Sequence, residues 1–481
     1  MKSLRSRQTF GLAKRRRFQL GSVALVALTL SGCATFGGDG GLTPVRAQVA
    51  SAIGADTIKI SSRSTAAAAA SRVKALLAKP LTADSAVQIA LLNNRGLQAE
   101  YNALGISEAA FVEASLPPNP IVSVSGVVTD GALSIERRLV GSVLDLLTLP
   151  ARRKIGEKQF EAARYRAIEA TFRLATNTRK AYYKAVAARN RASFLEQARL
   201  SAEAAADLTR KLGETGSATK LDQARASAFY AETSNQLAAA RLEAGLAFES
   251  LTRELGAWGA DATYKLPNRL PALPRKIQTS DQAEVEAIRK RVDLIAARLE
   301  LEALAQSLKL VDATRYVSAF DLAGLANFER TKANGGVETA RSRGGALDLQ
   351  LEIPIFDFGE TSRRRNAEIY MQAVNRFGML AVNIRSQARS ALLSYRAAND
   401  IARQYRNNVI PMRKVVSEET QLRYNGMLID VFELLTTARE GIESNLASID
   451  AQRDAFLAGI DFQSAILGGG TAEAASVANS D

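Results

Sequence analysis

The chain has 481 residues, with 63 Lys and Arg against 49 Asp and Glu, one Cys and no His. The absence of His removes imidazole metal ligands, imidazole bases and Ser-His-Asp or Cys-His catalysis, and a single Cys permits neither an internal disulfide nor a CxxC metal site. The net charge of +14 overstates how basic the body is: seven of the cations lie in residues 1–32, which hold no acid, and without them +7 remains. No aromatic-interleaved basic patch accompanies it, so no nucleic-acid partner is expected.

Those seven cations precede Phe18–Leu30, an apolar run shorter than the roughly 20 residues of a membrane-spanning helix. It ends in Leu30-Ser31-Gly32-Cys33, which resembles the bacterial lipoprotein cleavage box. The resemblance implies that residues 1–32 are a signal peptide and that Cys33 becomes the first mature residue, carrying a thioether-linked lipid and an acylated amine such as a palmitoyl amide. Ala34 follows it, where an Asp would favour retention in the inner membrane. Arg15-Arg16-Arg17-Phe18 leaves general secretory and twin-arginine export both open. Residues 33–80 then read as a lipidated tether, flexible from Phe36 to Gly41, with a short helix over Ala66–Leu77.

From 81 to 258 the pattern is helix, β-hairpin, long helical hairpin. Residues 84–94 form a capped helix that breaks at Asn93-Asn94; Leu97–Leu116 resumes it and Pro117-Pro118-Asn119-Pro120 ends it. A hairpin is expected over about 121–145. Val122, Val124 and Val128 share one face and Ser123 and Ser125 the other, and Leu133 and Ile135 alternate with Ser134 and Glu136. Pro150 marks the expected start of a long helix reaching about Leu212, on the order of 90 Å at 1.5 Å per residue. A turn over Gly213–Ser217 returns the chain along Ala218–Trp258. Apolar positions on these helices are mostly Ala, which allows close helix-on-helix packing without a strict heptad.

Pro267, Pro271 and Pro274 punctuate a linker over 259–280, after which the cycle restarts over 281–467. Arg291–Ala297 stands where Asn94–Glu100 stood. A second hairpin is expected over about 316–357: Phe320, Leu322, Ala326 and Phe328 alternate with Asp321 and Asn327, Lys332–Gly345 reads as a polar loop, and Leu347, Leu349, Leu351, Ile353 and Ile355 alternate with Asp348, Gln350 and Glu352. A long helix from about 360 to Tyr424, with at most a bend near Pro411, ends at Asn425-Gly426, and Leu428–Leu467 comes back. Residues 468–481 read as a disordered tail. The chain is therefore mainly α with a four-stranded β contribution, one architecture of α-helical hairpins and β-hairpins built twice.

Strands with one apolar and one polar face fit a transmembrane barrel, and they also fit a soluble sheet packed on helices. In a bilayer four strands cannot close, and each open edge would leave peptide groups unsatisfied, so a barrel would have to be shared between chains. The duplicated order of elements, the lipobox, Asp357-Phe358-Gly359 after the last strand and the paired turns carrying Gly216 and Gly426 resemble the TolC-type outer-membrane efflux family over roughly residues 80–467. That resemblance implies a homotrimer with a 12-stranded transmembrane β-barrel, continued by a periplasmic α-barrel. It implies a passive exit duct in the outer membrane of a Gram-negative bacterium, lipid-anchored, reaching into the periplasm and joined by a periplasmic adaptor, or membrane fusion protein, to an inner-membrane pump. No enzyme activity and no cofactor beyond the lipid on Cys33 are expected. The competing reading is a lipid-anchored coiled-coil scaffold without a pore.

The resemblance places adaptor-contacting tips at Thr215, Gly216 and Ser217 in the first turn and Asn425, Gly426 and Met427 in the second. Either glycine is equally explained as a residue tolerating positive φ at a helix end. Asp222, Asp430 and Glu433 are candidate aperture acids, since a three-fold axis would gather three copies of each; a helix start also favours acids for its dipole. Asp348, Gln350 and Glu352 are expected to face the barrel lumen. No metal relay is legible in the Met or acid pattern, and the cargo is not written in the chain.

Overall fold

The computed structural model describes residues 36–129, 132–274, 282–332 and 339–470. Helices α1 (Leu42–Ile53), α2 (Arg63–Leu77), α3 (Ala83–Asn93) and α4 (Arg95–Ala114) lead into strands β1 (Ile121–Thr129) and β2 (Ala132–Ser142). Helices α5 (Val143–Glu214) and α6 (Lys220–Leu255) follow, then α7 (Ala283–Lys290) and α8 (Val292–Thr314). Strands β3 (Ala319–Lys332) and β4 (Thr339–Glu352) precede α9 (Glu360–Gln404), a π-helical segment (Tyr405–Val409), α10 (Ile410–Asn425) and α11 (Val431–Leu467). The lipobox and Cys33 lie outside the described residues, as do 471–481; Gly468 and Gly469 are packed against Val292 and Phe172.

Several limits differ from the sequence reading. Helix α5 begins at Val143, so Pro150 lies inside it rather than at its start. Strand β2 runs straight into that helix: the Ser142 hydroxyl accepts from the Asp145 amide at 3.4 Å, and Asp145 pairs with Arg152 at 3.2 Å. Most of the expected polar loop is strand, because β3 and β4 stay paired out to Lys332 and Thr339; polar side chains on a solvated strand look like loop when they stand alone. Where a bend was expected near Pro411, the structure has the π segment, which ends two residues upstream at Val409. Pro411 has no amide for the helical ladder, and the Ile410 amide instead reaches back five residues to the Tyr405 carbonyl. Helix α1 was not expected, because the Gly-rich run before it read as the start of a tether, although Leu42, Val45 and Val49 fall on one helical face and are buried.

The chain divides into two units. One holds the sheet with the adjoining helix ends, 105–160 and 300–373. The sheet is antiparallel in the order β1-β2-β3-β4. Its helical ends are joined by stacked Phe111 and Phe160, by Lys158–Glu302 at 3.3 Å and by Arg363–Asp312 at 3.2 Å. Gly156 lets α5 approach α4, since a Cβ there would stand 3.2 Å from that of Ala114.

The other unit is helical. Its largest core gathers Val73, Leu81, Ile89, Leu92, Val186, Leu251 and Leu255. The proline-punctuated stretch after α6 straps this core: Tyr264, Leu266 and Leu270 are buried, and the Lys265 carbonyl accepts from the Leu81 amide at 2.9 Å. The duplication is explicit at the two kinks. Asn94 and Arg291 interrupt α3–α4 and α7–α8 with nearly the same backbone, φ −68°, ψ 119° and φ −65°, ψ 119°. Both reach the carbonyl end of the returning helix, Asn94 donating to the Glu254 carbonyl at 3.0 Å and Arg291 to the Ala465 carbonyl at 3.5 Å. A donor at the kink thus satisfies orphan carbonyls of the helical hairpin in each half.

Arg291 is only 5% exposed and forks onto Asp293 at 3.0 and 2.7 Å, with a further hydrogen bond to Gln387 at 2.7 Å. Arg291→Met should therefore lower stability by about 3 kcal/mol in thermal or denaturant unfolding, because the Asp293 charge stays buried without its partner. Burial, and then the Asp293 carboxylate, hold the Glu169 carboxyl above its ordinary 4.5 against the pull of Arg173, Arg291 and Arg166. A raised carboxyl pKa means that stability falls as pH rises from about 4.5 through the folded value. Glu169→Gln should accordingly raise the melting temperature at neutral pH, with the gain disappearing below the ordinary carboxylate range.

Candidate functional site

The register assigns each strand residue to a face. One face carries Val122, Val124 and Val128 from β1, Leu133, Ile135 and Leu139 from β2, Phe320, Leu322 and Phe328 from β3, and Leu347, Leu349 and Leu351 from β4. The opposite face carries Ser123, Ser125, Ser134 and Glu136 with Asp321, Asn327, Asp348, Gln350 and Glu352. Pairing residues stand side by side on the same face, so alternation in four separate strands becomes two continuous surfaces. The apolar one is exposed, Val122, Val128, Leu347 and Leu349 among it. Asp348 is joined to Arg138 at 3.3 Å, a contact between β4 and β2 that no single-strand pattern could show. Ala323, which pairs with Asp348 across β3–β4, is 3% exposed.

At the foot of β4 the chain turns at Asp357-Phe358-Gly359. Phe358 and Gly359 both take left-handed backbone, φ 48° and 72°, and a Cβ on Gly359 would collide with the Arg315 carbonyl. The Asp357 carboxylate accepts from the Gly359 and Thr361 amides at 3.0 and 3.3 Å, closing the turn and capping α9. These hydrogen bonds, that of the Gly359 amide first, hold its carboxyl below the usual range. The first half has no such corner, since β2 passes directly into α5.

The two helical turns share one geometry. In the first, the Ser217 amide bonds the Leu212 carbonyl and the Gly216 amide the Gly213 carbonyl; in the second, Leu428 bonds Arg423 and Met427 bonds Tyr424. Both are Schellman closures, with the left-handed residue at Gly216 (φ 78°) and at Met427 (φ 56°). Gly426 is not left-handed, with φ −83°, so it does not hold the role its glycine implied. The equivalent positions are 211 residues apart: Gly216 with Met427, Thr219 with Asp430, and Asp222 with Glu433. Thr215, Ser217 and Asn425 stand beside them in the same closures, Thr215 donating to the Leu212 carbonyl at 2.9 Å. Met427 is 93% exposed and Leu428 follows it, while the first turn is polar.

All three candidate acids sit at helix starts. Asp222 forms a capping box with Thr219, its carboxylate 2.6 Å from the Thr219 hydroxyl, and that hydrogen bond holds its carboxyl low. Asp430 is itself the N-cap of α11, accepting from the Glu433 amide at 2.9 Å. Arg225 stacks over the Phe432 ring at 4.7 Å, linking α6 to α11 just inside the turns. Among the described residues no group of acids could hold a metal ion, and no helix is long and apolar enough to cross a membrane.

Neither protein-family models nor curated protein sequences show a match to the chain. Solved structures do. The outer-membrane channel OprN matches over 83% of this chain and 92% of its own at 18% identity, with a TM-score of 0.69. The outer membrane protein VceC of Vibrio cholerae matches over 84% and 96% at 14% identity and TM-score 0.64, and the MtrE outer membrane channel of Neisseria gonorrhoeae, in its open state, over 83% and 89% at 16% and 0.65. The chain has the TolC-type channel fold. The matches cover more than four fifths of the chain rather than a local motif.

A non-glycine residue in the left-handed region is strained by about 1 kcal/mol. Met427→Gly should therefore protect the Met427 and Leu428 amides against hydrogen exchange by about fivefold, and Gly216→Ala should weaken protection at Gly216 and Ser217 by a similar factor.

Proposed function

We propose that the protein is an outer-membrane exit duct of a tripartite efflux or related export system. The observation that carries this is the four-stranded sheet with one exposed apolar face, one polar face and two open edges, in a chain with the TolC-type channel fold. Three copies would pair β1 of one with β4 of the next and close a 12-stranded barrel, leaving no strand edge in lipid. The apolar face then meets acyl chains and Asp348, Gln350 and Glu352 face the lumen, where the Arg138–Asp348 pair softens the local charge. The lipid on Cys33 would add a second hold on the membrane. The helices continue the conduit into the periplasm, and the turns meet the adaptor that links duct and pump. The exposed Met427-Leu428 pair makes the second turn the more apolar of the two contacts. No catalytic step is assigned: the chain lets pass what its pump delivers.

The deciding experiment is gel mobility with and without heating, together with conductance of the purified full-length chain in planar bilayers. A heat-dissociated trimer that forms discrete channels supports the duct; a non-conducting species would leave the lipid-anchored scaffold as the reading. If the acids behind the turns narrow the aperture, Asp430→Ala combined with Glu433→Ala should raise single-channel conductance severalfold, and unchanged conductance would remove them from that role.

A further inference from the structure

The strands segregate charge by face as well as hydrophobicity. Glu136, Asp321, Glu329, Asp348 and Glu352 all fall on the polar face, and no Asp or Glu falls on the apolar one. The apolar face instead carries Arg137, Arg330 and Arg343, and the register sets Arg341 on it too, opposite Arg330. Arg343 pairs with Phe328, one row from Arg330, and Arg137 pairs with Ala326. Arg137, Arg330 and Arg343 are exposed and none of them has a hydrogen bond or ion pair with another described residue, whereas Arg138 on the opposite face is matched to Asp348.

Their height along the sheet is informative. From Phe320 to Arg330 is ten residues of β3, about 33 Å of strand. Inclined by roughly 40°, that gives about 25 Å, the height of the apolar band of a transmembrane barrel. Phe320, Leu322, Leu347, Leu349 and Leu351 fill the lower rows without a charge. Arg330 and Arg343 stand at the upper limit, toward the hairpin tips and away from the helices. Arg137 stands lower, paired with Ala326, where a long side chain can carry its charge toward the interface.

We propose that Arg137, Arg330 and Arg343 form a basic collar that binds the phosphate groups of anionic outer-leaflet glycolipid headgroups. The collar rests on the reading of this face as lipid-facing. Three unpaired guanidinium groups on a surface devoid of carboxylates complement phosphomonoesters, which accept forked hydrogen bonds from arginine.

The test uses the full-length protein in neutral detergent with bisphosphorylated lipid A as probe, and binding followed by native mass spectrometry. At roughly fivefold per arginine near an anionic headgroup, the triple variant Arg137→Gln, Arg330→Gln, Arg343→Gln should bind about a hundredfold more weakly. Arg138→Gln on the opposite face should bind like wild type, and dephosphorylated lipid A should bind wild type as weakly as the triple variant binds the probe. Equal binding of the probe by wild type and triple variant overturns the collar, as does its displacement by an equimolar amount of inorganic phosphate, which would make a free anion the occupant. Wild-type conductance in planar bilayers separates the two layers of the argument: a conducting channel with unchanged lipid binding removes the collar alone, and a chain that never conducts removes the barrel and the collar with it.

Discussion

Peptide groups along the outer sides of β1 and β4 point away from the sheet that contains them, and in hydrocarbon each unsatisfied group would cost several kcal/mol. That requirement, together with an apolar face left open on all four strands, is the reason the proposed barrel needs further copies of the chain. A soluble sheet would spend the same apolar face on a helix. Here that face is exposed.

The helices have their own constraint, which is the carbonyl ends of the returning arms. Each half meets it at the same place with a different side chain. Asn94 does so as a neutral amide, and also accepts from the Leu97 amide at 3.1 Å to start α4. Arg291 does so as a buried cation, and therefore needs Asp293 and Gln387 around it. The two solutions show how duplicated halves diverge while keeping one backbone. The turns tell the same story: one Schellman closure is built on Gly216 without strain, and its counterpart is built on Met427 with an apolar side chain held out into solvent.

Polar groups on the sheet are arranged by face. Carboxylates gather on the face proposed to line the conduit, and one of them is neutralised by Arg138 from two strands away. The unpaired arginines gather on the other face near the hairpin ends. At the foot of the sheet Asp357 closes a turn that only Gly359 can complete beside Arg315, which fixes where the last strand hands over to a helix. The first half makes that handover with no turn, through Ser142 and Asp145.

Much of this was legible in the residues alone, because the signals are local. Alternation in β1 and β4, the break at the Asn pair, the duplicated order and the acids after each turn follow from side-chain period and capping chemistry, which act within a few residues. What the sequence determined by itself was thus the kind of most elements, α1 and the outer part of β4 excepted, and that one architecture is built twice. Only the tertiary structure decided the register that merges four alternations into two surfaces, the pairing of Arg138 with Asp348, the extension of β3 and β4 into what read as loop, and the choice of Met427 over Gly426 for the left-handed position. These depend on which backbones lie side by side and on hydrogen bonds closed between residues far apart in the chain, and a linear pattern carries no measure of either.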